Sequence, residues 1–273
     1  MSTLSAQEQL RLLTFNIRYA NPHDGVNYWE HRKERTYKVI RAFNPDIFGV
    51  QEALDEQNRD LGEAFSEYGR LGVGRDDGDS LGEHCSIFYR KSRFEVITNS
   101  TFWFSDTPDT IASKHFGNRL TRICTWAHFR DIATQISFFL YNLHIDHESQ
   151  PSREKSILCL LEQIGRRGTK DPVFVMGDFN AEEQNPAVLL IQSQNDVPLR
   201  DTFRVMNPDA EAVATFHGYT GVLEGDKIDY IFAAPNFEIV ESSIIRTCFD
   251  EFYPSDHFPV SLVGYFAPQS NGV

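Results

Sequence analysis

Ile47-Phe48-Gly49-Val50-Gln51-Glu52 is a short apolar run that ends on an amide and an acid, and its setting decides the fold. A run of this length beside Asn44-Pro45 reads as a buried strand. Just upstream, Trp29 to Phe43 carries Tyr37, Ile40 and Phe43 at helical spacing with charges between them. That spacing predicts an amphipathic helix, stopped by Asn44-Pro45. Upstream again, Leu12 to Ile17 is a second apolar run, and Asn21 to Asn27 is a loop dense in turn formers. Strand, helix and strand make a βαβ-like unit, with Gln51-Glu52 at its exit.

The same alternation continues downstream. Asp55 to Tyr68 is expected to be a second helix, and residues 72–82, rich in Gly and Asp, a loop. Cys85 to Tyr89, Phe94 to Thr98, Ile123 to Phe129 and Ile136 to Leu143 read as consecutive strands. Phe102 to Leu120 is a long connection, and long ordered loops are often functional. Ser152 to Arg167 is the clearest helix, with Ile157, Leu160, Leu161 and Ile164 on one face. Val173 to Met176, Ile228 to Ala233, Ile239 to Ile245 and Pro259 to Phe266 read as strands, and Ala187 to Gln192 as a short helix. With no repeat and no composition break, this order predicts one α/β sandwich domain over residues 11–267. Residues 1–10 are expected to be a flexible tail and 268–273 a C-terminal tail.

The chain has 273 residues, 22 of them Phe, so an aromatic-rich core is expected. Its formal charge is -13. A protein that grips duplex DNA over a broad surface is normally basic, so the acidity argues against that partner. It leaves a phosphate substrate open, because a bound divalent cation inverts the local field. Cys85, Cys124, Cys159 and Cys248 form no Cys-x-x-Cys pair, so neither zinc nor a disulfide framework is expected. Met1 to Arg11 has no apolar core of a signal peptide, and no stretch is long enough to span a membrane. The cytoplasm is the default compartment.

Several polar residues sit at the ends of the apolar runs. Glu52 is either a solvated strand end or a ligand for Mg²⁺ or Mn²⁺, hard cations that take oxygen donors. Asn16 either satisfies backbone groups or orients Glu52. In Gly177-Asp178-Phe179-Asn180 an acid and an amide lie two apart, on one side of an extended segment. An acid there can take a proton from water while the amide fixes the phosphate; an Asx turn is the plainer reading. His144 is a core histidine or a proton donor to a leaving oxygen. Asp146, His147 and Glu148 read as solvated loop. Asp229, alone between apolar neighbours, needs a partner if buried, and His257 beside Asp256 is the candidate. An Asp-His pair fixes the tautomer and raises basicity, and its imidazolium can bind phosphate; a structural ion pair is the alternative.

In order along the chain, these strings resemble the endonuclease/exonuclease/phosphatase superfamily, which is deoxyribonuclease I-like. They are Thr-Phe-Asn16-Ile, Gln51-Glu52, Glu83-His-Cys-Ser-Ile-Phe-Tyr-Arg90, Arg122-Ile-Cys-Thr-Trp, Asn142-Leu-His144, Gly-Asp178-Phe-Asn180, Ile-Asp229-Tyr-Ile and Ser-Asp256-His257-Phe-Pro-Val. Phe102-Trp103-Phe104-Ser105 and Thr215-Phe216-His217-Gly218 look like a bacterial uncharacterised branch, nearer deadenylases than abasic-site nucleases. The resemblance implies a four-layer α/β sandwich: two mixed, mostly antiparallel sheets packed face to face and flanked by helices. It implies Glu52 as main metal ligand, helped by Asn16 and Asp256. Asp178 and Asn180 would position water and phosphate, His144 with Glu83 would serve the leaving group, and Asp229 with His257 would form the second pair. Arg122 would contact phosphate. The expected activity is metal-dependent hydrolysis of a phosphodiester by direct water attack, on a small phosphoester or short nucleotide. A sugar, inositol or lipid phosphatase, or an inactive binding protein on the same fold, are the alternatives. Trp103, Phe116, His217 and Tyr219 are candidates for pocket lining and equally for packing.

Overall fold

The computed structural model describes residues 8–114 and 116–267. Most of the two expected tails, residues 1–7 and 268–273, therefore lies outside the described residues. Leu10, drawn into the N-terminal tail, is buried and opens the first strand.

In chain order the elements are β1 (Leu10–Asn16), α1 (Trp29–Phe43), β2 (Ile47–Ala53), α2 (Asp55–Ala64), β3 (Tyr68–Leu71) and β4 (His84–Arg90). Then come β5 (Phe94–Trp103), β6 (Ile123–Asp131), β7 (Ser137–His144), α3 (Gln150–Gly165), β8 (Val173–Asp178) and α4 (Pro186–Gln192). The chain closes with β9 (Arg200–Asp201), α5 (Thr202–Met206), β10 (Asp229–Ala233), β11 (Phe237–Ile244) and β12 (Val260–Phe266). Two six-stranded sheets result, in the orders β11-β12-β1-β2-β4-β3 and β5-β6-β7-β8-β10-β9. Among the described residues, β1/β2 and β7/β8 pair in parallel and the other pairs are antiparallel. The two sheets are the inner layers, and helices cover their outer faces. The expected four-layer sandwich is thus the observed one.

Between the sheets lies an apolar core that includes Leu12, Ile47, Phe129, Phe138, Phe174 and Leu262. α1 and α2 cover the first sheet through Tyr37, Ile40, Leu61 and Phe65, and α3 and α4 cover the second through Ile157, Leu160 and Ile191. Phenylalanine supplies much of this core, as expected; Phe48 and Phe88 stack with centroids 4.7 Å apart. Each fully buried Phe contributes about 2–3 kcal/mol of transfer free energy. Among the described residues no helix is long and apolar enough to cross a membrane.

The second helix stops at Ala64, four residues before the expected Tyr68. Leu61, Phe65 and Tyr68 keep helical spacing, which disguises the break. Tyr68 instead starts β3, opposite Arg90, and its hydroxyl donates to the Pro45 carbonyl at 2.5 Å. β5 runs on past Thr98 to Trp103, through a bulge near Val96, with both faces open at residues 97–100. The two-residue β9 and five-residue α5 were too short to show a period; Asp201 caps α5 by accepting from Phe203 N–H at 3.1 Å.

Close approach of β7 and β8 requires Gly177. Its φ is +140°, and a Cβ there would lie 2.0 Å from the Leu143 carbonyl oxygen. Gly177→Ala is expected to lower unfolding free energy by about 3 kcal/mol or more, read by urea denaturation, since both φ and sterics oppose a side chain. A loss below about 1 kcal/mol would show that the strands can part.

Candidate active site

The site lies where strand ends from both sheets converge. Asp178 ends β8, opposite His144 of the parallel β7 and Asp229 of the antiparallel β10. Asp178 Oδ2 is the hub: it accepts from Asn16 Nδ2 at 2.9 Å and lies 3.5 Å from His144 Nε2 and 3.9 Å from His257 Nε2. Its Oδ1 accepts from the Asn180 N–H at 2.9 Å. Asn16 Nδ2 also donates to Glu52 Oε1 at 3.0 Å, so one amide joins two acids from two sheets. Glu52 reaches the site because β2 breaks register between Val50 and Ala53 and Glu52 adopts φ 63°. A left-handed φ on a glutamate is local strain, of the kind that gathers at functional sites. Gln51 points the other way, fully buried, and donates to Asn142 Oδ1 at 2.6 Å, which ties sheet to sheet beneath the site.

The two histidines are in opposite states. His257 Nδ1 pairs with Asp229 Oδ2 at 2.8 Å. Burial disfavours the charge of this imidazole, but the charge and hydrogen bond of Asp229 overcome that and push its pKa up to about 10. His257 is therefore an imidazolium at neutral pH. His144 is held well below its ordinary value, by burial and then by Arg122 and Arg75. Arg122 Nη1 donates to His144 Nε2 at 2.9 Å and Asn180 Nδ2 lies 3.0 Å from the same nitrogen. Two donors on Nε2 place the ring proton on Nδ1, so His144 is neutral and presents an acceptor. Glu83, its expected partner, is 3.9 Å from Nδ1 and bonds instead to Arg75 Nη1 at 2.5 Å.

Negative charge is left over. Burial pushes Asp178 up to about 7, and Asp229 adds to this, against the pull of His257 and the hydrogen bonds of Asn180 and Asn16. Burial also raises Asp256, with Glu52 acting the same way, and raises Glu83. Asp229 Oδ1 is buried without a hydrogen-bond partner among the described residues. Ligand atoms of Glu52, His144 and Asp178 lie within 4.8 Å of one another, as do those of Asp178, Asp229 and His257. An excess of buried carboxylate oxygen fits a divalent cation of the Mg²⁺ type. Asn16 offers these acids its NH₂ group, while its Oδ1 accepts from Arg18 N–H at 3.0 Å. It bridges the two carboxylates here and does not turn its oxygen to them. Asp256 stands at the edge, 3.9 Å from Arg18 Nε. Glu52, Glu83, His144, Asp178, Asn180, Asp256 and His257 line an open cavity of about 580 Å³, with Arg18, Arg75, Arg122, His147 and Phe216 on its walls; Asn16 and Asp229 lie behind them.

The sequence profile described as "Endonuclease/Exonuclease/phosphatase family" matches residues 13–257. The chain belongs to this family. A solved family structure from Bacteroides vulgatus is 34% identical, covers 95% of this chain and 100% of its own, and superposes with a TM-score of 0.88. Bacteroides thetaiotaomicron mannosyl-6-phosphatase is 31% identical over 94% of this chain and 100% of its own, with a TM-score of 0.85. An uncharacterised protein of Acanthamoeba polyphaga mimivirus is 26% identical over 93% of this chain and 99% of its own. Family members are hydrolases of phosphoester bonds and are generally dependent on divalent metals.

Within this family site, some residues were invisible beforehand. Asp146 is not part of a solvated loop: it is buried, accepts from Ser149 N–H at 2.7 Å to shape the entry to α3, and lies 3.7 Å from Arg122 Nε. His147 Nδ1 takes Arg122 Nη2 at 2.6 Å and also lines the cavity, while Glu148 is exposed as expected. Arg75 lies within the Gly- and Asp-rich loop 72–82 with no sequence signal of its own, yet it holds Glu83. Trp103 is packing, with Nε1 donating to the Arg75 carbonyl at 2.7 Å. Phe116 packs beneath α3, and His217 stacks on Phe258 at 3.9 Å. Tyr219 is half-buried beside Arg32. The aromatic residues that do face the cavity are Tyr19 and Phe216, the latter half exposed with its ring centroid 5.1 Å from that of His257.

Proposed function

We propose that the chain hydrolyses a small phosphoester by direct attack of water, with a divalent cation. The observation that carries this reading is the convergence on Asp178, a buried acid tied through Asn16 to Glu52, 3.5 Å from His144 and 3.9 Å from the His257 held by Asp229; in the cation-free protein burial pushes Asp178 up to about 7. An acid with a pKa near the working pH is an effective general base. A fixed imidazolium, with Arg122 and Asn180 beside it, suits the oxygens of a transferring phosphoryl group.

Asp178 Oδ2 takes the proton of the attacking water. His257, held by Asp229, binds a phosphoryl oxygen as an imidazolium. The leaving oxygen needs a proton, and His144 Nε2, 3.5 Å from Asp178 Oδ2, can relay the one Asp178 has taken once Arg122 gives up its hydrogen bond there and turns to the phosphoryl oxygens. His144 then acts as a carrier and not as a donor charged in advance. Glu52 and Asp178, with Asp256 at the edge, would hold Mg²⁺ or Mn²⁺, which supplies charge stabilisation to the phosphoryl oxygens. Asn16 keeps the two carboxylates apart and oriented.

The cavity volume of about 580 Å³ and the charge of -13 favour a small substrate over duplex DNA. A sugar phosphate monoester is the second reading, favoured by the 31% identity to mannosyl-6-phosphatase along nearly the whole chain. The test is a hydrolysis screen with Mg²⁺ or Mn²⁺ across sugar phosphates, nucleotides, phospholipid headgroups and nucleic acids. Expected is turnover on a small phosphoester, abolished by a chelator and restored by Mn²⁺. Turnover that survives chelation, or activity on duplex DNA alone, overturns the reading.

A further inference from the structure

We infer that Arg32 is a positioning residue that locks the two loops facing the cation into one unit; the functional part of this rests on the reading of Glu52 and Asp256 proposed above. Arg32 lies on the buried face of α1, between Trp29 and Thr36, and although charged it is 0% exposed. Its guanidinium donates to four carbonyls: Asn27 at 2.8 Å and Arg18 at 2.7 Å through Nε and Nη2, and Ile17 at 2.5 Å and Pro254 at 3.0 Å through Nη1. Among the described residues none of these bonds goes to a carboxylate. Rings sit over its faces, Trp29 with its centroid 5.1 Å and Tyr219 with its centroid 6.0 Å from the guanidinium carbon. A buried cation without an acid partner is costly. Four carbonyl dipoles and the two nearby aromatic rings offset that cost.

Three of the four carbonyls come from the two chain segments that carry the site, and the fourth, Asn27, lies just before α1. Ile17 and Arg18 follow Asn16, and Tyr19 N–H donates to Glu52 Oε2 at 3.1 Å. Pro254 precedes Ser255, Asp256 and His257. Ser255 Oγ donates to the Asn16 carbonyl at 2.7 Å, and Thr36 Oγ1, one turn along α1, donates to the Pro254 carbonyl at 3.0 Å. These contacts make α1 the post to which both loops are tied, with Arg32 bonded to both. A lysine has three donors on a point charge and cannot reproduce a planar fork that serves four acceptors.

The test uses the full-length protein with Arg32→Lys and Arg32→Met, read by amide hydrogen exchange and by Mn²⁺ titration. Expected in both variants is at least 10-fold faster exchange at residues 17–19 and 255–257 together, with protection in β8 unchanged. Mn²⁺ affinity is expected to fall about 10-fold or more. Should Arg32→Met fail to fold, Arg32→Lys carries the test. Wild-type exchange rates in both loops, or faster exchange spread evenly over the molecule, overturns the inference. Local loosening with unchanged Mn²⁺ affinity overturns the positioning role. If the wild-type protein binds no Mn²⁺, the proposed function falls, and the exchange pattern alone still decides whether Arg32 is the lock.

Discussion

Asp178→Asn is expected to lower kcat/KM by about 10⁴-fold on a responsive phosphoester, because the base and an oxygen donor for the cation disappear together. The fold is expected to survive. Asp178 is 1% exposed, and its pKa of about 7 lies above the 3.8 of an ordinary aspartate. A carboxyl raised by folding binds its proton more tightly in the native state. Its ionisation therefore removes stability as pH rises from about 4 through about 7, and at pH 8 the wild-type protein bears that cost in full. The amide carries no charge and escapes it. It keeps one acceptor for the Asn180 N–H and loses the one facing Asn16 Nδ2, so the two effects oppose each other. The expected melting temperature at pH 8 is thus within a few degrees of wild type, measured by calorimetry beside the kinetics. A variant that keeps more than a tenth of wild-type activity removes Asp178 from the role of base. A variant that unfolds shows that Asp178 is chiefly structural.

The layered fold was legible because its signals are local and periodic. α1 begins at Trp29 and ends at Phe43, as its spacing requires, and Asn44 takes the left-handed cap conformation with φ 56°. The pairing of Asp229 with His257 was legible for a different reason: an acid inside an apolar strand must find a cation or donors, and few were near in kind. What stayed hidden depends on contacts between segments far apart in sequence. Phe65 and Tyr68 sit at helical spacing after Leu61, so only their packing on Phe48 reveals the end of α2. Asp146 is followed by His147 and Glu148 and reads as loop, but its capping of α3 and its approach to Arg122 bury it. Arg32 lies on a helix whose other charges are mostly solvated, and its burial follows from loops 15 and 222 residues away. The protonation state of His144 was hidden most deeply, since it depends on Arg122 and Asn180 meeting at one nitrogen.

Asp229→Asn is expected to cost about 10²- to 10³-fold in kcat/KM at pH 9 and distinctly less at pH 6.5. Of the two groups that bracket the activity, Asp178 must be ionised and His257 must be protonated. In the cation-free protein these titrate near 7 and near 10, which gives a bell with its acid limb from Asp178 and its basic limb from His257. A bound divalent cation disfavours both protons and moves both limbs to lower pH without changing their order. Removing the Asp229 charge takes away what raises His257. The imidazole then loses its proton at lower pH, because the charge and hydrogen bond that held it are gone. The same change removes a negative neighbour of Asp178, so the acid limb also moves down. The whole profile shifts towards acid, and the loss is greatest on the alkaline side. His257→Gln, by contrast, removes the basic limb and lowers activity at every pH, because no charge remains there to bind phosphate. A basic limb that stays in place in Asp229→Asn would assign it to a group other than His257, and the imidazolium would no longer explain phosphate binding.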